Sequence, residues 1–155
     1  MIQYAYYRNR LGLWKIGYES ESVVWMKVVA TPDVPGIPSE TSDKAATQLQ
    51  EYLDGHRTSF DLPLCPFGSD FQNRVWKQLM EIPWGQTRTY GEIATAINMP
   101  GAARAVGQAA NKNPIWIMIP CHRLVGKGNK LTGYAGGTDM KQILLNLEQK
   151  KSPET

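Results

Sequence analysis

Cys121, His122 and Arg123 stand in succession directly after the apolar run Ile115-Trp116-Ile117-Met118-Ile119 and Pro120. A thiol beside an imidazole is the raw material of nucleophilic chemistry, because sulfur attacks as thiolate and an imidazole can take its proton. Free cysteines often serve as small buried hydrophobes. Packing alone is nevertheless a poor account of an apolar segment that ends in this triplet. A thiol of ordinary pKa, about 8.5, is only a few per cent ionised at neutral pH, so Cys121 needs help. His122 is the nearest helper, yet neighbouring side chains on an extended backbone point apart. The expected relay therefore runs from thiol to water to imidazole, with a carboxylate orienting the far ring nitrogen. Pro120 fixes φ near about −65° and removes a donor just ahead of the thiol.

The other candidate ligands form no constellation. Cys65 adjoins Pro66 in an expected linker, and His56 follows a helix stop at Gly55. With Cys121 and His122 they make no metal-ligand spacing, so no metal is expected, and no cofactor motif is present. A second chemical feature is the stretch 102–110. Ala102, Ala103, Ala105, Gly107, Ala109 and Ala110 are small, and Arg104 is the one long charged side chain near its start. Such a helix can approach another surface closely, whether a neighbouring helix or a nucleic acid.

Charge is divided unevenly. The net charge is +3; residues 1–65 carry 6 Lys/Arg against 8 Asp/Glu, and residues 66–155 carry 11 against 6. The basic part is the part with the motifs, which suits a polyanionic partner. Hydrophobic and charged fractions of 42% and 20% are those of a globular protein. No apolar stretch approaches the roughly 18 residues of a membrane span. The first residues lack the basic and apolar regions of a signal peptide, and reduced thiols inside the cell are expected.

The elements that must position these residues fall into two expected domains and a tail. Residues 1–65 read as an α/β domain with a linker, 66–150 as a mainly α domain, and 151–155 as the tail. Ile2, Tyr4 and Tyr6 alternate, and 11–18 and 23–29 are rich in β-formers, predicting three strands. From Ser42, Ala45, Leu49 and Tyr52/Leu53 recur at helical spacing until Gly55. Pro63 to Pro66 reads as the linker. Ser69-Asp70-Phe71-Gln72 is a capping box opening a helix with the stripe Phe71, Val75 and Leu79. Thr89-Tyr90-Gly91-Glu92 is a second box, Met99-Pro100-Gly101 a tight turn, and 102–110 a third helix. Two short helices across a turn predict a helix-turn-helix. Residues 126–130 read as a turn between extended pieces. Thr138 is expected to cap a last helix that turns Met140, Ile143, Leu144 and Leu147 inward.

Pro120-Cys121-His122-Arg123 resembles the active-site signature of the O6-methylguanine-DNA methyltransferases. The blocks Gly101-Ala102-Ala103-Arg104-Ala105-Val106-Gly107 and Asn113-Pro114 upstream match that family's pattern and spacing. Gly133-Tyr134-Ala135-Gly136-Gly137, Lys141-Gln142-Ile143-Leu144-Leu145 and Glu148 do so downstream. The resemblance is strong over residues 66–150 and loose before them. It implies a ribonuclease H-like α/β N-terminal scaffold and a helix-turn-helix (winged-helix-like) C-terminal domain. It further implies transfer of an alkyl group from the O6 atom of guanine to Cys121, once per molecule, with no cofactor.

Residue by residue, the resemblance assigns Glu148 as the carboxylate behind His122 and Tyr90 as proton donor toward the base. Arg104 fills the space of a flipped nucleotide, while Ala102, Ala103, Gly107 and Tyr90 lie against the minor groove of double-stranded DNA. Asn113 ties the helix pair to the active-site segment, and Arg123 braces its loop. Tyr134 supplies a wall and Ala135 a backbone amide to the pocket. Trp116 departs from the proline or small residue frequent in relatives, implying a narrower pocket that favours methyl groups. A monomer is expected, working in the cytoplasm or, in a eukaryote, the nucleus.

Three rivals stand beside this reading. A non-catalytic alkyltransferase-like damage-binding protein would lack the cysteine. A cysteine hydrolase would not place its dyad at adjacent positions and would need an Asn or Asp partner. A sequence-reading regulator would carry more Arg, Asn or Gln on helix 102–110.

Overall fold

Three strands open the chain as an antiparallel meander: β1 (Gln3–Asn9), β2 (Gly12–Glu19) and β3 (Ser22–Val29), hydrogen-bonded in that order. Their register sets Ala5 opposite Ile16 and Ile16 opposite Met26. All three side chains are fully buried on one face of the sheet. Against them packs α1 (Glu40–Leu53), whose inward residues are Ala45, Leu49, Tyr52 and Leu53. The helix begins earlier than the expected Ser42. Ser39 is its N-cap, and Ser42 is the reciprocal partner in a Ser39/Ser42 capping box. Gly55, at φ 80°, ends the helical turn as expected.

The computed structural model describes residues 1–149; residue 150 and the expected tail 151–155 lie outside the described residues. The chain divides into two compact units, the first comprising 1–67 and Pro114–Trp116. Within it, two segments cover the open edge of β3. The Val23 N–H donates to the Pro63 carbonyl at 2.9 Å and the Cys65 N–H to that of Val23 at 2.8 Å. Further along, the Met26 N–H donates to Pro114 at 2.8 Å and the Trp116 N–H to Met26 at 2.9 Å. Residues 63–65, the start of the expected linker, are thus pinned to the sheet, because an uncovered strand edge leaves backbone groups unpaired.

The second unit holds α2 (Asp70–Met80), β4 (Arg88–Thr89), α3 (Tyr90–Ala96), α4 (Ala103–Asn111), β5 (Leu124–Val125) and α5 (Thr138–Gln149). Both predicted capping boxes are present, at Ser69/Gln72 and Thr89/Glu92. The predicted turn between α3 and α4 is closed by the Ala102 N–H on the Met99 carbonyl at 2.9 Å. Buried Val75, Trp76 and Leu79 anchor α2, and the Trp76 indole N–H donates to the Ala109 carbonyl of α4 at 2.9 Å.

The last helix corrects two expectations. Thr138 is its first helical residue, not a residue ahead of it. Its inward face is Lys141, Leu144, Leu145 and Glu148, while Ile143 is exposed. Both stripes satisfy helical spacing. The polar one turns in because its carboxylate and ammonium find buried partners, which offset the loss of water.

Candidate active site

The apolar run 115–119 is buried throughout. Ile117 sits at φ 74°, a left-handed conformation that costs a β-branched residue on the order of 1–3 kcal/mol. Two residues further on, the Ile119 carbonyl accepts the Asn113 side-chain amide at 2.8 Å and the Cys121 N–H at 2.8 Å. That last bond closes a three-residue turn around Pro120, at φ −82° and ψ 63°, the inverse γ-turn geometry.

Cys121 to Arg123 then form a 3-10 turn, not the extended backbone expected. At three residues per turn, successive side chains are splayed by about 120°. Cys121 and His122 therefore leave the backbone in different directions, as the relay through water supposes.

Asn113 anchors the thiol. Its fully buried amide nitrogen donates to Cys121 Sγ at 3.1 Å as well as to Ile119. Burial pushes the Cys121 thiol up to about 11; hydrogen bonds from Asn113 and Tyr134 and the charge of Lys141 pull in the opposite direction. Cys121, 3% exposed, rests as a protonated thiol.

His122 and Arg123 converge on Glu148. The carboxylate accepts His122 Nε2 at 2.7 Å and Arg123 Nε and Nη2 at 2.8 and 3.0 Å. The third guanidinium nitrogen, Arg123 Nη1, donates to the Ile82 carbonyl at 2.7 Å. Burial raises the Glu148 carboxyl, but the bonds from His122 and Arg123 outweigh it and hold the group down at about 2. Burial lowers His122, which rests neutral despite the upward pull of Glu148. An ionised carboxylate can only accept, so Nε2 carries the hydrogen and Nδ1 the lone pair. A neutral base, oriented by an anion, thus stands next in sequence to the thiol.

The remaining candidates lie around this cluster or apart from it. Tyr90 is half-buried at the start of α3, and its ring passes Gly107 of α4; a Cβ there would meet it at 3.3 Å. Gly107 therefore has an internal reason to be small. Ala102 and Ala103 are half-buried at the start of α4, and Arg104 is exposed. Tyr134 is buried and begins a turn closed by the Gly137 N–H on its carbonyl at 2.9 Å, with Ala135 exposed within it. Trp116 belongs to the first unit, edge-on to Trp14 at 6.3 Å between ring centres. That contact seats its ring inside the first unit.

Two residues of this neighbourhood have no role assigned from sequence. Lys141, known from sequence only as part of a matching block, is 1% exposed and donates to the Leu124 carbonyl; its helical spacing with Glu148 is the available signal. Thr132, hydrogen-bonded to the Tyr90 hydroxyl, gave none. Among the described residues, no group of three or more His, Cys, Asp or Glu side chains is placed to hold a metal. No helix among them is long and apolar enough to cross a membrane.

Residues 70–150 match the family described as 6-O-methylguanine DNA methyltransferase, DNA binding domain. The methylated-DNA--protein-cysteine methyltransferase of Methanosarcina barkeri is 59% identical over 106 residues, spanning 68% of this chain and 67% of that protein. The crystal structure of Mycobacterium tuberculosis O6-methylguanine methyltransferase matches with a TM-score of 0.89 at 40% identity, over 100% of this chain and 97% of that one. That of Mycobacterium tuberculosis OGT in complex with DNA matches with a TM-score of 0.87 at 42% identity, over 95% and 92%. The mixed α/β architecture is common to them. On this match and these identities, the chain belongs to the O6-methylguanine-DNA methyltransferase family.

Proposed function

We propose that this protein repairs DNA by transferring the methyl group of O6-methylguanine irreversibly to its own Cys121. The observation that carries the reading is a pair of hydrogen-bonded groups, Asn113 with Cys121 and His122 with Glu148 and Arg123, that meet at adjacent positions 121 and 122 in a chain of this family. The names of the relatives and the DNA bound to the mycobacterial protein support it.

The chemistry balances without a cofactor. The neutral imidazole takes the thiol proton through a bridging water, and Glu148 steadies the cation that forms. Sulfur attacks the methyl carbon; the bond from carbon to O6 breaks and leaves its electron pair on guanine. Tyr90 meets that developing charge with its hydroxyl proton. The thioether left on Cys121 is not among the readily reversed thiol modifications, so each molecule acts once. The thiol stays protonated until this relay is engaged, which guards a buried nucleophile against idle reaction.

The attacked atom is unreachable inside a duplex, so the base is swung out into the pocket. Arg104 fills the gap while Ala102, Ala103 and Gly107 let α4 lie close in the minor groove, whose degenerate edges suit sequence-independent repair. The two short helices across the Met99–Ala102 turn support a helix-turn-helix reading, and the antiparallel meander with α1 a ribonuclease H-like scaffold. Tyr134 and the Ala135 backbone amide border the base. One copy supplies every residue of the relay, which fits a monomer working inside the cell where its DNA is.

Intact-mass measurement after incubation with a methylated-guanine duplex tests the proposal. Cys121 should gain one methylene, and Cys121→Ser should gain none. Lesion-selective binding with no change in mass would make the protein a sensor instead.

A further inference from the structure

The Thr132 side chain meets Tyr90 across the loop that precedes Tyr134. The two hydroxyls are hydrogen-bonded, and either oxygen can be the donor. Thr132 is itself held from two other sides. Its carbonyl lies 3.5 Å from the buried Lys141 ammonium. Its methyl packs over Gly126, where a Cβ would come within 3.0 Å. Gly126 is fixed in turn by donating its N–H to the Lys130 carbonyl at 2.7 Å. Gly107 confines the far side of the Tyr90 ring, so the position of the phenolic oxygen is set by two neighbours.

A phenol has one hydrogen to give and lone pairs to receive. Were Tyr90 to donate to Thr132, that hydrogen would be spent inside the protein. With Thr132 as donor, the hydrogen is left for a base outside. The same bond also stabilises the phenolate that forms as the proton leaves, since hydrogen bonds to a charged form favour it.

We infer that Thr132 is a positioning residue for methyl transfer: its hydroxyl donates to the Tyr90 oxygen and turns the Tyr90 hydrogen toward the departing guanine. This rests on the proposed role of Tyr90. The bond from sulfur to carbon forms, the bond from carbon to O6 breaks with its electron pair on guanine, and the Tyr90 proton passes to the base. The proton taken from the thiol by His122 restores the phenol by way of solvent. Thr132 gives up no atom.

The test is single-turnover methylation of the full chain on a methylated duplex, read by intact mass between pH 6 and about 9. Thr132→Val keeps the shape and removes the donor; Thr132→Ser keeps the donor. Thr132→Val should slow transfer about 10- to 100-fold, a part of what a general acid supplies, with duplex affinity unchanged. Thr132→Ser should stay close to the parent. In a Tyr90→Phe background, Thr132→Val should add almost nothing, since the two act as one unit. Parent-like transfer by Thr132→Val, or an equal further loss on top of Tyr90→Phe, overturns the inference. Should Thr132→Val fold poorly, Thr132→Ala removes the same donor and is read the same way. A parent chain that never gains a methylene sinks the proposed function itself; a labelled parent with an indifferent Thr132 sinks only this role.

Discussion

The Glu148 carboxylate accepts the Nε2–H of His122 at 2.7 Å, and this bond decides which imidazole nitrogen can receive a proton. It also makes stability depend on acid. The folded carboxyl is held at about 2, well below its ordinary value. The folded state therefore binds fewer protons than the unfolded chain, and the stabilisation is complete above about pH 4.5 and lost as pH falls toward 2. Its size is on the order of 3 kcal/mol. His122, also lowered by burial, works in the same direction from about pH 6.5 downward. Urea melts between pH 2 and about 7 should show both losses in the parent; Glu148→Gln should keep the His122 part and flatten only below about pH 4.5, and is also weaker at neutral pH because Arg123 loses its buried anion. Parallel profiles for the two proteins would remove Glu148 as the source.

Cys65 is exposed and Cys121 buried, with its thiol pushed up to about 11. A small alkylating reagent reacts with thiolate. At pH 8 it should therefore modify Cys65 first and leave Cys121 almost untouched, Cys121 reacting as pH climbs toward 11. Peptide mapping after timed quenching measures the order. Asn113→Ala removes a donor to Sγ and should slow methyl transfer at neutral pH; a faster Cys121 in that variant would show that the amide shields the sulfur more than it activates it.

The parts of the chain legible in sequence are those governed by neighbours a few residues apart. Both capping boxes of the second unit, the Met99–Ala102 turn and the adjacency of Cys121 and His122 follow from local spacing. Glu148 lies 26 residues beyond His122, and only the family resemblance pointed to it. The face of α5 is not legible in hydropathy, which favours Ile143 over Lys141. Burial went instead to the side chains with partners, as Lys141 and Glu148 have. The cover over β3 and the Thr132–Tyr90 bond have no local signal at all, since each joins segments that only the folded chain brings together.

Gly107 separates packing from chemistry. Its replacement by alanine should gain up to about 1 kcal/mol of helix propensity. The new Cβ meets Tyr90 at 3.3 Å, so the ring must yield by a few tenths of an ångström. Gly107→Ala should then melt no lower than the parent yet transfer methyl groups several-fold more slowly. Unchanged transfer would mean that the Tyr90 hydroxyl tolerates the shift.

Arg104 is exposed on α4 beside half-buried Ala103, and its proposed task exists only in a duplex. An arginine that merely neutralised phosphate would weaken binding to all DNA alike and lower the salt slope by about one. An arginine that holds the gap left by a flipped base does more. Arg104→Ala should slow transfer from a methylated duplex by roughly 10- to 100-fold, the cost of the few kcal/mol of unstacking it no longer offsets. Transfer from the free methylated base, which needs no flipping, should continue at the parent rate. Measured side by side on the same preparation, equal losses on both substrates would place Arg104 in the folding of the site rather than in the opening of the helix.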